Sequence, residues 1–418
     1  MYNVEDPSSV LICCFGDLII NIRLNSLRLL KIRKDHSNNE DLIKHLKKHI
    51  AGSNFLSKKI KFTSKYDLEV MKITQITNSK IKDVDFGNLD FGRIFTDHMF
   101  VCHFRNGKWE TPEIKPYQAL TVEPSASVFH YGQAVFEGMK AFKDSQNKVW
   151  LFRPEENFKR INLSSKRLQI PEFPEAHFFK GLEKLLALDE EWIKPGEGNS
   201  LYIRPFVFAS QPSVQASAAG EYIFMIICAP VKAYYSGGEI NVLIAEEYSR
   251  AASGGVGFAK AAGNYAAQFY PTSEALKKGF QQIIWTDANK HEYLEESGTM
   301  NIFFKINGIL VTSPTNDRIL DGITRKSIIE IAKKEGIIVE ERPIKVSEIK
   351  EAHESGALEE IFGTGTAVVV LPINSFSHQE KTFTLPKKTP LANNLKEILM
   401  GIQYKTLDDP FQWTHSIG

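Results

Sequence analysis

Cysteine is scarce in this chain, whose 418 residues include four: Cys13, Cys14, Cys102 and Cys228. Cysteines this scattered do not form a disulfide framework, and no group of cysteine and histidine has the spacing of zinc ligands. The pattern favours a reducing compartment and gives no reason to expect a metal site.

Long hydrophobic runs are also missing. The longest one near the start, from Val10 to Ile20, contains Asp17 and falls well short of the roughly 20 apolar residues that cross a bilayer. It has neither the basic segment before it nor the small-residue cleavage site after it that mark a secretory signal. We therefore expect a cytoplasmic protein without a membrane partner.

An excess of charge of one sign is absent as well. The 51 basic and 50 acidic residues give a formal net charge of +1, so nothing suggests a nucleic acid or another polyanion as partner. The 43% hydrophobic and 24% charged fractions are typical of a soluble globular protein, and the length is sufficient for two separate cores.

The first 70 residues differ from the rest. An apolar stretch is followed by leucines at 24, 27 and 30, which could line one helix face, and then by a polar run rich in Lys and His. A targeting helix and a partner-binding arm are two interpretations. We expect instead an N-terminal extension that is poorly ordered or outside the main folded unit.

Beyond residue 70 the sequence predicts a mixed α+β fold in two domains. We expect residues 71–228 to form a small α/β domain, residues 239–418 a larger domain, and residues 229–238, with their Pro, Gly and Ser, the linker between them. The apolar patterns predict strands at 100–104, 119–129, 201–208, 221–229, 240–247 and 281–287, a hairpin at 301–314, and helices from 154 onward and at 174–192, 324–335 and 347–355.

A single lysine, Lys260, lies in the glycine-rich segment SGGVGFAKAAGNYA. Glycines permit close approach of the backbone to a ligand, and small apolar neighbours partly desolvate a lysine, which favours the neutral amine that forms a Schiff base. The plainer alternative is a solvated lysine on a flexible loop. A phosphate-binding P-loop is excluded, because no Ser or Thr follows Lys260 and the glycine before it is misplaced.

A Schiff-base lysine raises the question of pyridoxal 5'-phosphate (PLP), which requires a carboxylate near its pyridine nitrogen. Glu295 and Glu296 stand at the entrance of an apolar strand in the segment EESGTMNIFF. Because side chains alternate faces along a strand, one of the two at most can enter a pocket. The alternative is a pair of solvated acids.

The phosphate group would need contacts of its own. Gly322, in the segment DGITRKS, precedes a predicted helix, so the amides of Ile323 and Thr324 can face an anion at the positive end of that helix. The turn GTGTA at residues 363–367 offers further amides, and Arg160 could contact a phosphate in a bidentate way. Taken singly, these features would be a helix cap, a tight turn and a surface arginine.

Eight segments stand in order along the chain: FGNLDFGRIFTDHMF (86–100), FHYGQAVFEGMKAF (129–142), LFRPEENFKRI (151–161), LYIRPFVF (201–208), SGGVGFAKAAGNYA (253–266), EESGTMNIFF (295–304), DGITRKS (321–327) and GTGTA (363–367). Together they resemble the signature segments of the branched-chain amino acid aminotransferases, which are fold-type IV PLP enzymes. The resemblance implies a two-domain fold of the D-amino acid aminotransferase type.

The resemblance also implies cofactor roles. Lys260 matches the lysine that binds PLP covalently and moves the proton between the substrate α-carbon and the cofactor. Glu296, rather than Glu295, matches the carboxylate at the pyridine nitrogen, and Tyr265 matches the tyrosine bonded to the cofactor 3'-oxygen. The remaining cofactor positions are Arg160, Ile323 and Thr324 at the phosphate, together with Arg250, Thr299 and Thr366.

A substrate pocket and a reaction follow from the same resemblance. Arg204 would help to receive an acidic side chain, the turn at Thr366–Ala367 would hold the α-carboxylate, and an aromatic wall would enclose a branched side chain. The wall residues are Phe91, Tyr131 and Tyr202. The implied reaction is the reversible ping-pong transfer of an amino group between L-leucine, L-isoleucine or L-valine and 2-oxoglutarate, giving branched 2-oxo acids and L-glutamate.

Other proteins of this fold are the alternatives. D-amino acid aminotransferases and aminodeoxychorismate lyases share the lysine and the cofactor chemistry, and a PLP-binding protein without activity is a further alternative. The segments FEGMKAF, LYIRP and GNYA favour the branched-chain group. The resemblance further implies a homodimer in which a loop of one subunit closes the pocket of the other. Val368 and Leu371 stand where some members carry a CxxC redox pair, so we expect no thiol regulation of that kind.

Overall fold

The computed structural model describes residues 10–15, 18–23, 71–232 and 239–417. Residues Met1–Val70 and Met71–Gly418 form two units. In the first unit, strands Val10–Phe15 (β1) and Leu18–Arg23 (β2) pair in antiparallel fashion. The leucines at 24, 27 and 30 lie outside the described residues, so the helix face expected there and the nature of the N-terminal extension stay predictions.

The second unit contains both strands and helices. Its strands are Lys72–Ile73 (β3), His98–Arg105 (β4), Lys108–Trp109 (β5), Glu113–Pro116 (β6), Ala134–Phe136 (β7), Met139–Lys143 (β8), Val149–Phe152 (β9), Ser200–Ala209 (β10), Tyr222–Val231 (β11), Ile240–Ile244 (β12), Gln282–Thr286 (β13), Tyr293–Ser297 (β14), Asn301–Ile306 (β15), Ile309–Thr312 (β16), Val339–Glu341 (β17), Ile344–Lys345 (β18), Leu358–Gly365 (β19), Val369–His378 (β20), Lys381–Thr384 (β21) and Thr414–Ile417 (β22). Its helices are Ser127–Tyr131 (α1), Pro154–Arg167 (α2), Glu175–Leu188 (α3), Ala262–Ala266 (α4), Phe269–Lys277 (α5), Ile323–Lys334 (α6), Val346–Glu354 (α7) and Pro390–Gln403 (α8).

These strands form two sheets. The first has the order β22-β9-β8-β10-β11-β4-β6-β3, with β5 beside β4 and β7 beside β10. The second has the order β17-β16-β15-β19-β20-β12-β13-β14-β18, with β21 beside β20, and β12 runs parallel to both of its neighbours. Two sheets of this kind, each accompanied by helices, confirm the predicted α+β class.

Each sheet buries its own apolar side chains. On the first sheet, the ring of Phe224 in β11 stacks on that of Phe173, which precedes helix α3, with centroids 3.7 Å apart. Both belong to a cluster that includes Phe100 of β4 and Phe178 of α3. The second sheet contributes most of a further cluster around Phe376. None of the helices in the described ranges is long and apolar enough to cross a membrane.

Helix α2 shows how the sequence directs one candidate residue inward. Pro154 stands in its first turn, where a backbone N–H would have no acceptor within the helix, so proline loses no hydrogen bond there. Acidic residues follow in that turn and basic residues stand in the last turn, as the helix dipole favours. The buried residues include Asn157, Arg160, Ile161 and Ser164, whose spacing puts them on one face. Arg160 therefore points into the protein.

The predicted strand at residues 119–129 is wrong. Irregular backbone leads to a turn from Glu123 to Ala126, and helix α1 begins at Ser127. Pro124 has no N–H for a sheet ladder, and the backbone N–H of Ser127 donates to the carbonyl of Gln211 at 2.9 Å instead. The apolar residues of this segment thus follow a bend in the chain.

The segment predicted as the interdomain linker is partly strand. Strand β11 continues to Val231, because the apolar pattern of residues 221–229 extends through two further residues, and residues 233–238 lie outside the described residues. Strand β22, which the sequence assigns to the larger domain, pairs with β9 of the first sheet. The first sheet therefore draws on both ends of the second unit.

Candidate active site

A cavity in the second unit brings together all nine residues to which the resemblance assigns cofactor roles. Its lining comes from helix α2, from the segment before α4, and from strands and loops around the second sheet. The lining residues are Arg160, Arg250, Lys260, Tyr265, Glu296, Gly298, Thr299, Met300, Asn301, Leu320, Gly322, Ile323, Thr324, Thr364, Gly365 and Thr366.

Lys260 is held in the cavity by its backbone as well as by its side chain. Its N–H donates to Ser164 Oγ at 2.9 Å, and its carbonyl accepts the N–H of Phe136 at 3.1 Å. The side-chain Nζ donates to Tyr265 Oη at 2.8 Å. A lysine amine and a phenol oxygen thus share one hydrogen bond at the centre of the site.

Of the two neighbouring acids, Glu296 faces the cavity. Its Oε1 accepts the N–H of Leu320 at 2.9 Å and lies 2.8 Å from an Arg250 guanidinium nitrogen, and its Oε2 accepts from Asn301 Nδ2 at 3.2 Å. Burial raises the pKa of Glu296, although the charge of Arg250 acts in the opposite direction. Glu295 instead pairs with Arg318, because successive side chains of strand β14 point to opposite faces.

Arg160 is fixed by a carboxylate that the sequence analysis did not single out. Glu137, which is fully buried, accepts from Arg160 Nε at 2.7 Å and from its NH2 group at 2.9 Å, while the NH1 group donates to the Asp321 carbonyl at 2.9 Å. Burial raises the pKa of Glu137, but the charges of Arg160 and Lys260 and the hydrogen bonds from Arg160 and Asn157 together outweigh it and hold that pKa below its usual range. Three of the five guanidinium N–H groups are used in this way, which leaves two for a ligand.

The N-terminus of helix α6 opens onto the same cavity. Gly322 precedes the helix without a side-chain cap, and the first turn contains no acidic residue. A Cβ atom at Gly322 would lie 1.9 Å from Asn301 Oδ1, so only glycine allows this approach. The amides of Ile323 and Thr324 and the side chain of Arg160 therefore line one cavity, in the arrangement that binds an anion.

The expected substrate residues form a chain of contacts that reaches the cavity. The rings of Phe91 and Tyr202 meet edge to face at 4.9 Å, and Arg204 donates to Tyr202 Oη at 2.9 Å. The Arg204 guanidinium lies 4.6 Å from the ring centre of Phe136, which in turn contacts the Tyr265 ring at 4.8 Å. Three of the four side chains expected in the substrate pocket therefore connect to the lysine–tyrosine pair.

Tyr131 lies apart from this group. Its side chain is 45% exposed, and its hydroxyl donates to the carbonyl of Val214. It does not contribute to the lining of the cavity around Lys260. The structure therefore does not bring Tyr131 together with the other residues expected in the substrate pocket.

The turn that was expected to hold the α-carboxylate follows strand β19. Gly363–Gly365 belong to that strand, and Thr366 and Ala367 form the turn before β20. The Ala367 carbonyl accepts from Lys140 Nζ at 3.4 Å. Lys140 lies in strand β8 and Glu137 lies between β7 and β8, both within the segment FEGMKAF. A charged residue in an otherwise apolar segment is the sequence signal that could have found them.

These residues fit PLP. A lysine amine, a buried carboxylate, a phenol and an uncapped helix N-terminus line one cavity. Thr364 contributes a buried hydroxyl that has no hydrogen-bond partner among the residues that the structure describes. The donor set matches the aldehyde, pyridine nitrogen, 3'-oxygen and phosphate of the cofactor. Lys260, Glu296, Tyr265, and the Arg160–α6 anion site would hold these groups in that order.

Comparison with known families identifies the class. The class IV amino-transferase family matches residues 134–376, more than half of the chain, so the protein belongs to the class IV aminotransferases. Among curated relatives, a branched-chain-amino-acid aminotransferase 2 of Bacillus subtilis (strain 168) is 44% identical over 349 residues, which cover 82% of this chain and 96% of the relative. A probable branched-chain-amino-acid aminotransferase of Staphylococcus aureus (strain N315) is 44% identical over 78% of this chain and 92% of its own.

Solved structures agree on the fold. A branched-chain aminotransferase from the archaeon Thermoproteus uzoniensis, determined with norvaline, superimposes with a TM-score of 0.65 at 24% identity and covers 77% of this chain and 100% of its own. The branched-chain amino acid aminotransferase of Escherichia coli gives a TM-score of 0.64 at 24% identity, with 77% and 99% covered. The fold is therefore that of the fold-type IV aminotransferases, as predicted.

Proposed function

We propose that the protein is a PLP-dependent branched-chain-amino-acid transaminase. It exchanges the amino group between L-leucine, L-isoleucine or L-valine and 2-oxoglutarate, reversibly and by a ping-pong mechanism. The observation that carries the proposal is the meeting of Lys260, Glu296, Tyr265 and Arg160 in one cavity of a class IV aminotransferase. The curated relatives of this chain, at 44% identity over about four-fifths of its length, support the choice of substrates.

The roles of the residues follow from their contacts. PLP, when bound, supplies an electron sink for bonds to the substrate α-carbon. Lys260 Nζ would be the base that takes the proton from that carbon and carries it to the cofactor. Tyr265, 2.8 Å from Nζ, keeps the amine in place, and Glu296 holds a proton at the pyridine nitrogen.

One pocket must accept both leucine and glutamate side chains. Phe91, Tyr202 and the neighbouring Phe136 offer apolar ring surface to a branched chain. Arg204, whose guanidinium is bonded to Tyr202 Oη at 2.9 Å, offers a positive charge at the edge of the same surface. A largely aromatic pocket with one polar side accommodates the two substrates in turn.

We also propose that the active protein is a cytoplasmic homodimer. Tyr131 is exposed together with Phe129, which is 63% exposed, and Val214, which is 64% exposed. Three apolar side chains so exposed in neighbouring segments favour a partner surface, and Tyr131 would enter the substrate wall of the second subunit.

The boundaries at residues 71–228, 229–238 and 239–418 are our proposal for the two domains and their linker.

An amino-transfer assay tests the reaction. Purified protein with PLP and 2-oxoglutarate should form glutamate from L-leucine, L-isoleucine and L-valine, and Lys260→Ala should form none while remaining folded. Turnover of D-alanine or aminodeoxychorismate alone would keep the site and replace the substrates. Bound PLP without any turnover would contradict catalysis, and unchanged activity of Lys260→Ala would refute the whole assignment.

A further inference from the structure

A second cavity lies beside helix α8. In the part of the chain that the structure describes, it has no lining residue in common with the cavity around Lys260. Its volume is about 540 Å³, and pockets for small molecules range from roughly 300 to 1,000 Å³. Leu371 and Pro372 of strand β20 give it an apolar wall, and the N-terminal half of α8 forms another side. The cavity is therefore large enough for a ligand of its own.

Positive charge dominates the lining of this second cavity. Three lysines, Lys387, Lys388 and Lys396, and one acid, Glu239, give the lining a formal charge of +2. Within the described ranges, the three ammonium groups have no ion-pair or hydrogen-bond partner, whereas Lys381 of the preceding strand has a glutamate partner at 2.6 Å. Clefts lined mainly by one sign of charge raise the local concentration of ligands of the opposite sign. The lining therefore favours an anion.

Thr389 contributes a hydroxyl that the described fold does not use. It stands at the N-cap of α8, where a threonine side chain normally accepts an N–H of the first turn, yet its side chain makes no such bond. The reason is Glu360, a buried residue of β19, whose carboxylate accepts the N–H groups of Leu391 and Ala392 at 3.0 and 2.9 Å. Thr389 is 7% exposed and lines the cavity. Because buried polar groups are normally hydrogen-bonded, this hydroxyl indicates a ligand that accepts hydrogen bonds.

The hydroxyl and the ammonium groups reach the cavity from two connected segments. Thr389 and Lys396 are seven positions apart, close to two helical turns, so their side chains lie along one face of α8. The Lys387–Lys388 pair stands in the segment directly before that helix. Four donor groups, three of them charged, therefore line one cavity.

We propose that this cavity binds a small phosphate monoester, at a site separate from the one that holds PLP. A phosphate monoester carries a charge of about −1.5 to −2 at neutral pH and three strong acceptor oxygens on one group. It therefore matches both the formal charge of the lining and its four donors. Lysine ammonium groups bind phosphate as point charges. The apolar surface of Leu371 and Pro372 receives the organic part of the ester.

Calorimetric titration of the PLP-loaded enzyme with phenyl phosphate tests the proposal. Excess PLP is removed first, because it also carries a phosphate group. Phenyl phosphate should bind at one site per chain. Inorganic phosphate should bind at least about threefold more weakly, since it lacks a ring to cover Leu371 and Pro372. The double variant Lys387→Gln/Lys388→Gln should weaken phenyl phosphate about tenfold, the lower end for loss of a charge-assisted hydrogen bond, because both lysines are exposed.

Thr389→Val separates binding from folding. Valine keeps the shape of threonine and removes the hydroxyl, so affinity for phenyl phosphate should fall about three- to tenfold, as expected for one hydrogen bond. The melting temperature without ligand should stay unchanged, because the Thr389 side chain makes no capping bond. A lower melting temperature with unchanged affinity would assign this hydroxyl to the fold and overturn its role in the site.

A second pair of neighbouring lysines provides the matched control. Lys333 and Lys334 are exposed in the last turn of α6 and do not line the cavity. Lys333→Gln/Lys334→Gln removes the same charge and should leave the affinity for phenyl phosphate unchanged. In acetylation of the wild type read by mass spectrometry, phenyl phosphate should protect Lys387, Lys388 and Lys396 and leave the control pair reactive.

Several results would overturn the inference. Absence of binding would do so, as would equal weakening by the two double variants, which would reduce the effect to overall charge. Protection of lysines elsewhere would move the site, and equal affinity for inorganic phosphate would exclude the ester. A chain that binds phenyl phosphate but does not transaminate leucine would contradict the proposed function instead, because none of these measurements depends on turnover.

Discussion

The substitution Glu137→Gln tests how Arg160 is held in the site. The carboxylate of Glu137 is fully buried and accepts from Arg160 Nε and NH2 at 2.7 and 2.9 Å and from Asn157 Nδ2 at 2.7 Å. Glutamine keeps the volume of glutamate but offers one acceptor oxygen and no charge. The change leaves a buried guanidinium with half of its bidentate contact and without a counter-charge.

The magnitude follows from the burial of both partners. Removing one member of a buried ion pair costs roughly 3–5 kcal/mol, because the remaining charge stays in the interior without compensation. We expect the free energy of unfolding to fall by that amount at pH 7. PLP affinity should fall about ten- to a hundredfold, since a charge-assisted contact with the phosphate is worth about 1.5–3 kcal/mol.

Urea unfolding and a PLP titration, at one protein concentration, measure the two effects. The matched control is Glu330→Gln, which removes an ion pair with Arg153 in which the glutamate side chain is 45% exposed, and which should cost under about 1 kcal/mol. A loss of stability in Glu137→Gln no larger than that of the control, with unchanged PLP affinity, would refute the reasoning about Arg160.

Two further predictions concern titrating groups. Burial raises the pKa of Glu156, but the hydrogen bonds and charges of Lys326 and Lys159 together outweigh it and lower that pKa to about 2. Because the folded-state pKa is depressed, the stabilisation exists above about pH 4.5 and disappears as the pH falls towards 2. Glu156→Gln should therefore lower the urea midpoint at pH 6 and hardly at all at pH 2. Burial raises the pKa of Cys102 to about 12 and that of Cys228 well above 9, so iodoacetamide at pH 8 should leave both unlabelled in the native protein, as read from their peptides by mass spectrometry; rapid labelling of either would contradict the burial argument.

The residues that line the cavity around Lys260 could be singled out from the sequence because they stand in short motifs, although their cofactor roles stay predictions. Lys260 is a single lysine among glycines, and Gly322 marks the start of a helix, so each signal is local. The choice between Glu295 and Glu296 was open from the residues alone, because alternation in a strand says that one faces inward and leaves the direction open. The structure shows the direction through the contact between Glu296 and Arg250.

The partners of these residues could not be predicted in the same way. Glu137 and Arg160 are 23 residues apart and meet because helix α2 packs its buried face towards the segment between β7 and β8. Lys140 reaches Ala367 across 227 positions of sequence. The first contact depends on how helix α2 packs against the first sheet, and the second on how the two sheets face each other. No periodicity in one segment contains that information. The wrongly predicted strand at 119–129 has a similar origin, because the backbone there bonds to a distant segment: the N–H of Ser127 donates to the carbonyl of Gln211.

The return of strand β22 to the first sheet has a consequence for limited proteolysis. The backbone passes from the first sheet to the second between β11 and β12, and it passes back between helix α8 and β22. A protease that cut between residues 232 and 239 would release no fragment, because Thr414–Ile417 would remain inserted beside β9 as a strand of the other piece. We expect the nicked protein to migrate as one particle in gel filtration and to separate into two bands under denaturing conditions.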